Sequence, residues 1–363
     1  MNILILSIFP APYRLAVFKG ISQKHQTTIF FESMKNGERN KDWYEKQDGT
    51  NKFYILNNDA DLMKYQDCVK QLEQYDLVIC YDPFTPTARK LERQCIARKV
   101  PYIINADGVL NIATNFVKKI VKTYYVKHAT KCFAGSESAE RYFKYYGARE
   151  SNIARHYFTS LYSSEIEKRP VSKEEKQSLK EELGFSQYPL FIAVGQFIHR
   201  KGFDILLNAW AKVNGDCQLV IIGGGSERTN YEKIIRDLDI KNVSIRNYYP
   251  HDELMRFFKA SDYLIMPTRE DVWGLVVNEA MSVGLPIISS NKCVSANELV
   301  KDGVNGYIYD VDDVDGLAKI VNELLEDDLE YDRMSQAALD AISTYTYENI
   351  IADHLDVIES MKL

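Results

Sequence analysis

The chain has 363 residues, 45% hydrophobic and 26% charged, with a formal net charge of −6. At roughly 150 residues per domain the length predicts two domains with ample core, and the composition excludes a disordered or collagen-like chain. No apolar run reaches the ~18–20 residues of a membrane span. Ile3 to Leu6 reads as a short strand lacking the flanks of a signal peptide, and six scattered cysteines without a C-x-x-C pair read as reduced thiols of a cytosolic protein.

In chain order, strand-length apolar runs alternate with helical patterns. Strands are predicted at 3–7, 27–31, 77–80, 102–105 and 131–134, with helices over 14–23, 87–98, 116–128 and 138–146. The pattern then restarts, with strands at 190–194, 218–222, 243–246, 263–266, 287–289 and 307–309. Helices follow at 203–213, 231–238, 251–260, 278–283 and 314–325, and a last one over 348–363. Such β-α repetition predicts two doubly wound parallel sheets in tandem, with ligands at the carboxyl ends of the strands in the cleft between them. The polar stretch 155–189 is the predicted boundary. The expected organisation is an N-terminal domain over 1–165, a C-terminal domain over 166–345 and a tail helix over 346–363 returning to the first domain. Charge divides the same way: residues 1–170 carry +8 and residues 171–363 carry −14. The basic half suits an anionic partner, with chance drift between domains an equal reading.

Three strings at predicted strand ends can carry chemistry. Gly195-Gln-Phe-Ile-His-Arg-Lys-Gly202 links a strand to a helix start, where a glycine, free N–H groups and the cations Arg200 and Lys201 would make a phosphate site. A plain βα turn with solvated cations explains it equally well. Gly223-Gly224-Gly225 follows the next strand and is neither a Walker loop nor G-x-G-x-x-G; a flexible turn is its stronger reading. Thr268 to Pro286 is the most informative. Asp271 stands eight positions before Glu279, with Gly274 between them. Two acids around an open backbone suit a polyhydroxylated, phosphorylated ligand, because carboxylates accept strong hydrogen bonds from hydroxyls. A helix-start acid capping its own N-terminus explains one of these acids but not the whole string.

On these strings, residues 190–310 resemble the C-terminal domain of glycosyltransferase family 4, the retaining GT-B enzymes that use nucleotide-activated sugars. Arg200-Lys201-Gly202 is similar to the family's Lys-Gly signature, Val243 to Leu254 to its base-holding strand and turn, and Asp271-x7-Glu279 to its E-x7-E signature. Asn297-Glu298 through Gly303-x-x-Gly306 is similar to the helix and turn that follow. The N-terminal half resembles the family in pattern only. Tyr157 to Leu161 and Arg269-Glu270-Asp271 look like a bacterial capsular or exopolysaccharide branch.

The resemblance implies a GT-B fold, two Rossmann-like domains facing across a cleft. It implies a retaining, metal-independent hexosyltransferase that moves a sugar from a nucleotide-sugar donor, expected to be UDP-linked, to a lipid-linked or oligosaccharide acceptor in surface polysaccharide synthesis. No cofactor is expected. Lys201 would pair with the donor diphosphate, Glu279 with the ribose hydroxyls and Asp271 with the donor sugar; backbone about Trp273, Gly274 and Leu275 would meet phosphate and sugar. Gly195, Gln196, Arg200, Gly223, Arg246, Glu270 and Val272 complete the expected donor site. Two departures stand out: Gln196 replaces the family's usual Arg, and the first signature acid is Asp271 with Glu270 beside it.

In the N-terminal half, Asp107, followed by Gly108, occupies roughly the place of a family His. A carboxylate there can orient an acceptor hydroxyl or support an oxocarbenium-like transition state; an Asp-Gly turn is the bland reading. Tyr13 and Arg14 are candidate acceptor contacts, Arg14 serving phosphate or simply a helix start. The stretch from Phe116 to Lys131 carries five lysines among apolar residues. Its default reading is a buried stripe with a solvated basic face. The alternative is peripheral contact with the inner face of the cell membrane, which the charge and the resemblance favour. Nucleic acid is not expected, given the acidic second half. Rival readings are an inactive nucleotide-sugar-binding member and a GT-B nucleotide-sugar epimerase.

Overall fold

A computed structural model describes residues 1–34, 53–326 and 331–361. The chain divides into two units, Met1–Ser160 with Thr346–Leu363, and Leu161–Tyr345.

The first unit runs β1 (Asn2–Ser7), α1 (Pro12–Ser22), β2 (Gln26–Phe31), β3 (Phe53–Ile55), α2 (Asp59–Lys70), β4 (Leu77–Cys80), α3 (Pro86–Arg98), β5 (Tyr102–Ala106), α4 (Phe116–His128), β6 (Lys131–Ala134), α5 (Glu137–Tyr145) and β7 (Ile153–Arg155). All seven strands are parallel, in the order β3-β2-β1-β4-β5-β6-β7. The middle strands β1 and β4 are continuous apolar runs because helices cover both faces; Ile3 to Leu6 and Leu77 to Cys80 are essentially inaccessible. Helix starts follow local chemistry. Thr85 Oγ1 accepts from Ala88 N at 3.0 Å with Pro86 in the first turn of α3, and Asn115 Oδ1 accepts from Lys118 N at 2.9 Å to open α4.

The second unit runs α6 (Lys173–Glu182), β8 (Leu190–Gln196), α7 (Phe203–Trp210), β9 (Gln218–Gly224), α8 (Arg228–Asp237), β10 (Val243–Arg246), α9 (His251–Ala260), β11 (Tyr263–Met266), α10 (Leu275–Met281), β12 (Ile287–Ser290), α11 (Val294–Leu299), β13 (Gly306–Tyr309), α12 (Val314–Glu326) and α13 (Tyr331–Ile342). Its six parallel strands are ordered β10-β9-β8-β11-β12-β13. Phe191, Ala193, Leu206, Trp210, Ile221 and Ile265 belong to one core cluster on this sheet.

The polar segment predicted as a boundary contains α6, which belongs to the second unit. It docks through charge rather than an apolar stripe. Lys176 and Lys180 donate to Asp262 at 2.9 and 2.8 Å, all three groups being largely buried. Helix α14 (Tyr347–Ser360) belongs to the first unit and packs on α1, where Ile351 occupies the space that a side chain on Gly20 would fill. Two short strands, β3 and β7, and helices α2, α6, α11 and α13 lie outside the predicted set; α10 starts three residues before its predicted start.

Each sheet reverses its winding once, between β1 and β4 in the first unit and between β8 and β11 in the second. In doubly wound sheets the crevice outside such a reversal binds ligands, because adjacent loops there diverge to opposite faces. The five Cys residues 80, 95, 132, 217 and 293 are buried free thiols, and Cys68 is a partly buried one. Among the described residues no helix is long and apolar enough to cross a membrane.

Candidate functional site

The reversal point of the second unit brings the loop after β8 against the loop after β11. Both loops end in helices entered through left-handed glycines. Gly202 (φ 70°) precedes α7, and a Cβ there would lie 2.0 Å from Pro267 O; Gly274 (φ 92°) precedes α10. Close approach of the two loops therefore requires Gly202. Thr268 Oγ1 donates to Arg200 O at 3.0 Å, Arg269 N donates to the same carbonyl at 2.8 Å, and Arg200 Nη1 donates to Glu270 O at 2.7 Å.

Across this seam Lys201 Nζ is ion-paired with Asp271 Oδ2, with both side chains about one-seventh exposed. Asp271 is itself held in place: its N–H donates to Lys292 O at 2.8 Å and its carbonyl accepts from Val294 N at 3.1 Å. Arg269 clamps the outer side, donating to Asp204 with both terminal nitrogens at 2.8 and 2.7 Å, to Asp312 through Nε at 3.0 Å and to His199 O at 2.9 Å. Burial pushes the Asp204 carboxyl up, but the hydrogen bonds and charge of Arg269 outweigh it and leave it below its ordinary value.

Lys201, Asp271, Gly195 and Gly274 converge. A Cβ on Gly195 would sit 3.7 Å from Lys201 Cδ, and one on Gly274 3.5 Å from Asp271 Cγ. Gln196, at the end of β8, is partly buried, and Glu279 is partly buried on α10. Val272 and Glu270 are exposed. The Arg200 guanidinium is committed to the Glu270 carbonyl rather than standing free. The Trp273 indole is turned into the protein, donating to Asn278 Oδ1 at 2.8 Å. Leu275 opens α10. Gly223 has a steric explanation: a Cβ there would stand 1.8 Å from Gly195 O on the neighbouring strand. Arg246 stands apart, on the edge strand β10, with its guanidinium 5.9 Å from the Phe185 ring centre.

The first unit has its own cluster at the carboxyl ends of β1, β4 and β5. Arg14, on the first turns of α1, donates to Asp107 at 2.7 and 3.3 Å, and its guanidinium lies 4.7 Å from the Tyr81 ring centre. Arg14 is 6% exposed and is the buried ion-pair partner of Asp107. Burial pushes the Asp107 carboxyl above its ordinary value, opposed by Arg14 and by a 2.8 Å hydrogen bond from Asn105 Nδ2. Asp82 Oδ2 accepts from Ser7 Oγ at 2.7 Å and Ile8 N at 2.9 Å, tying the loop after β4 to the end of β1. Tyr13 packs edge-on against Phe158 at 5.2 Å. His156 is a member of this cluster that the local sequence does not reveal; it reaches Asp107 through Asn105, which accepts from it at 3.1 Å.

On α4 the default reading holds only in part: Tyr125 and Val126 are buried, but other apolar residues are not. Phe116, Val117, Ile120 and Tyr124 are 76%, 68%, 55% and 43% exposed, so much of the apolar stripe faces outward. Lys119 lies 4.3 Å from the Tyr145 ring centre, and Lys122 4.9 Å from that of Tyr142.

The fold, two Rossmann-like parallel-sheet units, is of the GT-B type. Residues 175–340 match the family model for glycosyl transferases group 1. The chain is 27% identical over 173 residues to the lipopolysaccharide core biosynthesis glycosyltransferase LpsE of Rhizobium meliloti, covering 47% of this chain and 50% of that protein. It is also 27% identical over 190 residues to an uncharacterized 41.2 kDa protein in the cps region of Klebsiella pneumoniae, covering 51% and 50%. The chain thus spans about half the length of these curated relatives. Among solved structures, HepE of Anabaena in complex with UDP superimposes with a TM-score of 0.80 at 16% identity, covering 99% of this chain and 100% of that one. The apo lipopolysaccharide outer core galactosyltransferase WaaB gives 0.72 at 18%, covering 99% of each.

Proposed function

We propose that the protein is a retaining glycosyltransferase that moves a hexose from a nucleotide-sugar donor, UDP-linked, to a lipid-linked saccharide in bacterial surface polysaccharide synthesis. The observation that carries this reading is the meeting of Lys201 and Asp271 at the reversal point of the second sheet. A largely buried cation at such a place suits a diphosphate, and an acid beside it suits sugar hydroxyls. The match to LpsE and the likeness to HepE bound to UDP support the donor class and the setting.

In this mechanism Lys201 stabilises the charge that develops on the departing diphosphate, helped by the start of α7. Such preorganised charge is the main catalytic term. Asp271 holds the donor sugar and Glu279 the ribose; backbone N–H groups of Trp273, Gly274 and Leu275 meet phosphate and sugar. Catalysis needs no metal in this reading, since the cation is the protein's own. The bond from the anomeric carbon to phosphate breaks as the acceptor oxygen bonds on the same face, and the acceptor proton leaves with the phosphate. Asp107 orients the acceptor hydroxyl.

The outward apolar face of α4 supports peripheral attachment at the inner face of the cell membrane. Residues 116–131 contain five lysines and no acid, which suits an anionic lipid surface.

The test is a thermal-shift screen of UDP, GDP, ADP, CMP and their common sugars, without metal and then with Mg²⁺. At one hundred times Kd the stabilisation is about 2.7 kcal/mol. The expected result is a selective UDP response without metal, lost in Lys201→Ala and Glu279→Ala. No response to any nucleotide would overturn the donor site.

A further inference from the structure

The Arg14–Asp107 pair is one side of a closed circuit of six side chains in the first unit. From Asp107 the circuit runs to Asn105 Nδ2 at 2.8 Å and from Asn105 Oδ1 to His156 Nε2 at 3.1 Å. The His156 ring lies 4.9 Å from the ring of His354, which stands parallel to Tyr81 (5°) at 5.9 Å. Tyr81 returns the circuit to the Arg14 guanidinium at 4.7 Å. Five of the six are buried, and the Asp107 side chain is 14% exposed.

The hydrogen bonds dictate the tautomers. Asn105 spends its amide nitrogen on Asp107, so its oxygen faces His156, which must carry its proton on Nε2. His354 Nδ1 faces the Ile350 carbonyl at 2.7 Å and must carry its proton there. His156 Nδ1 and His354 Nε2 are then bare, and neither finds a partner among the described residues. Burial first, then His354 and the charges of Arg14 and Arg155, hold His156 far below its ordinary value; burial and Arg14 lower His354 to about 4. Both rings are neutral spacers. The same accounting leaves Asp107 asymmetric. Oδ1 accepts from Asn105 and Arg14, while Oδ2 accepts from Arg14 alone and keeps room for another donor.

His354 belongs to α14, which packs on α1, the helix that carries Arg14. We propose that His354 is a positioning residue: its ring is the wedge between Tyr81 and His156 that holds Asn105 and Arg14 on Asp107 and keeps Oδ2 turned to substrate. The wedge acts by shape, so a phenyl ring replaces it and a methyl group does not. The catalytic consequence rests on the reading of Asp107 above; the circuit does not.

The test uses the full chain with labelled histidine and aspartate carboxyl groups, followed by NMR from pH 4.5 to 8. His156→Gln, His354→Phe and Asp107→Asn assign the signals. The expected spectra show His156 neutral with Nε2–H and His354 neutral with Nδ1–H above pH 6. Arg14, Asp82, Tyr81 and Asn105 face the Asp107 carboxyl from α1, the loop after β4 and β5. Loss of the Asn105 hydrogen bond in Asn105→Ala therefore moves the Asp107 midpoint up by about one pH unit. His354→Ala moves it in the same direction and His354→Phe restores it. With donor and acceptor, His354→Ala lowers kcat about tenfold at unchanged donor KM, since misplacement rather than lost binding is the defect. A role in stability alone would lower the melting temperature and leave the Asp107 midpoint in place, which overturns the proposal. If His354→Ala does not fold, His354→Leu takes its place, and an unmoved Asp107 midpoint there overturns the proposal equally. A wild-type chain that transfers no sugar, with the NMR results as expected, would sink the function and leave the circuit standing.

Discussion

Lys201 and Asp271, seventy positions apart, neutralise each other at the seam between the loops after β8 and β11. Neither side chain is open enough for water to replace its partner fully. Lys201→Ala strands a largely buried carboxylate and is expected to cost about 3 kcal/mol of stability. Lys201→Ala with Asp271→Ala should cost less than the two single changes together. Urea unfolding of the cycle measures the coupling; additive costs would show that the pair contributes no mutual stabilisation.

Gly195 and Gly223 are neighbours with opposite requirements. A Cβ on Gly223 collides with Gly195 O, whereas a Cβ on Gly195 meets the Phe203 ring at an ordinary 3.5 Å. Gly223→Ala is therefore expected to lose more than about 3 kcal/mol or not to fold. Gly195→Ala should melt within a few degrees of wild type yet lose its UDP response, because on the proposed donor site the added methyl would meet the donor phosphate. A Gly195→Ala chain that still responds to UDP would remove Gly195 from the donor site.

Glu92, on α3, is fully buried among apolar groups, and neither carboxylate oxygen has a partner among the described residues. Burial raises its carboxyl to about 7, with Arg89 pulling the other way. Between the ordinary value of 4.5 and 7 the unfolded chain releases this proton and the folded chain keeps it, so stability falls as pH rises. The loss amounts to about 3 kcal/mol above pH 7. Glu92→Leu should be close to neutral at pH 4.5 and stabilising at pH 8. Urea midpoints at the two pH values decide it; equal effects at both would mean that Glu92 is ionised in the fold.

The outward face of α4 predicts co-sedimentation with vesicles containing anionic phospholipid and none with neutral vesicles. Phe116→Ser with Ile120→Ser removes the apolar anchor. Lys118→Gln with Lys119→Gln removes about 2 kcal/mol of attraction, roughly thirtyfold in partitioning at low salt. Binding that survives all four changes would place the lipid contact elsewhere.

Much of this protein is readable along the chain because its signals are local. Apolar runs such as Leu77–Cys80 and Tyr263–Met266 are strands buried on both faces, and the string from Thr268 to Glu279 lies within one loop and helix. Four of the elements that escape such reading lack an apolar period or are too short to show one: α6 docks through Lys176 and Lys180 on Asp262, α2 buries only Tyr65, and β3 and β7 are three residues long. Folding alone decides which distant groups meet. It joins Lys201 to Asp271, takes Arg200 up on the Glu270 carbonyl, encloses Arg14 against Asp107, and brings His156 and His354 behind Asn105. It also decides that Phe116 and Ile120 face outward. Helical periodicity shows that apolar residues share a face, and only the packing of the neighbouring helices shows whether that face is covered.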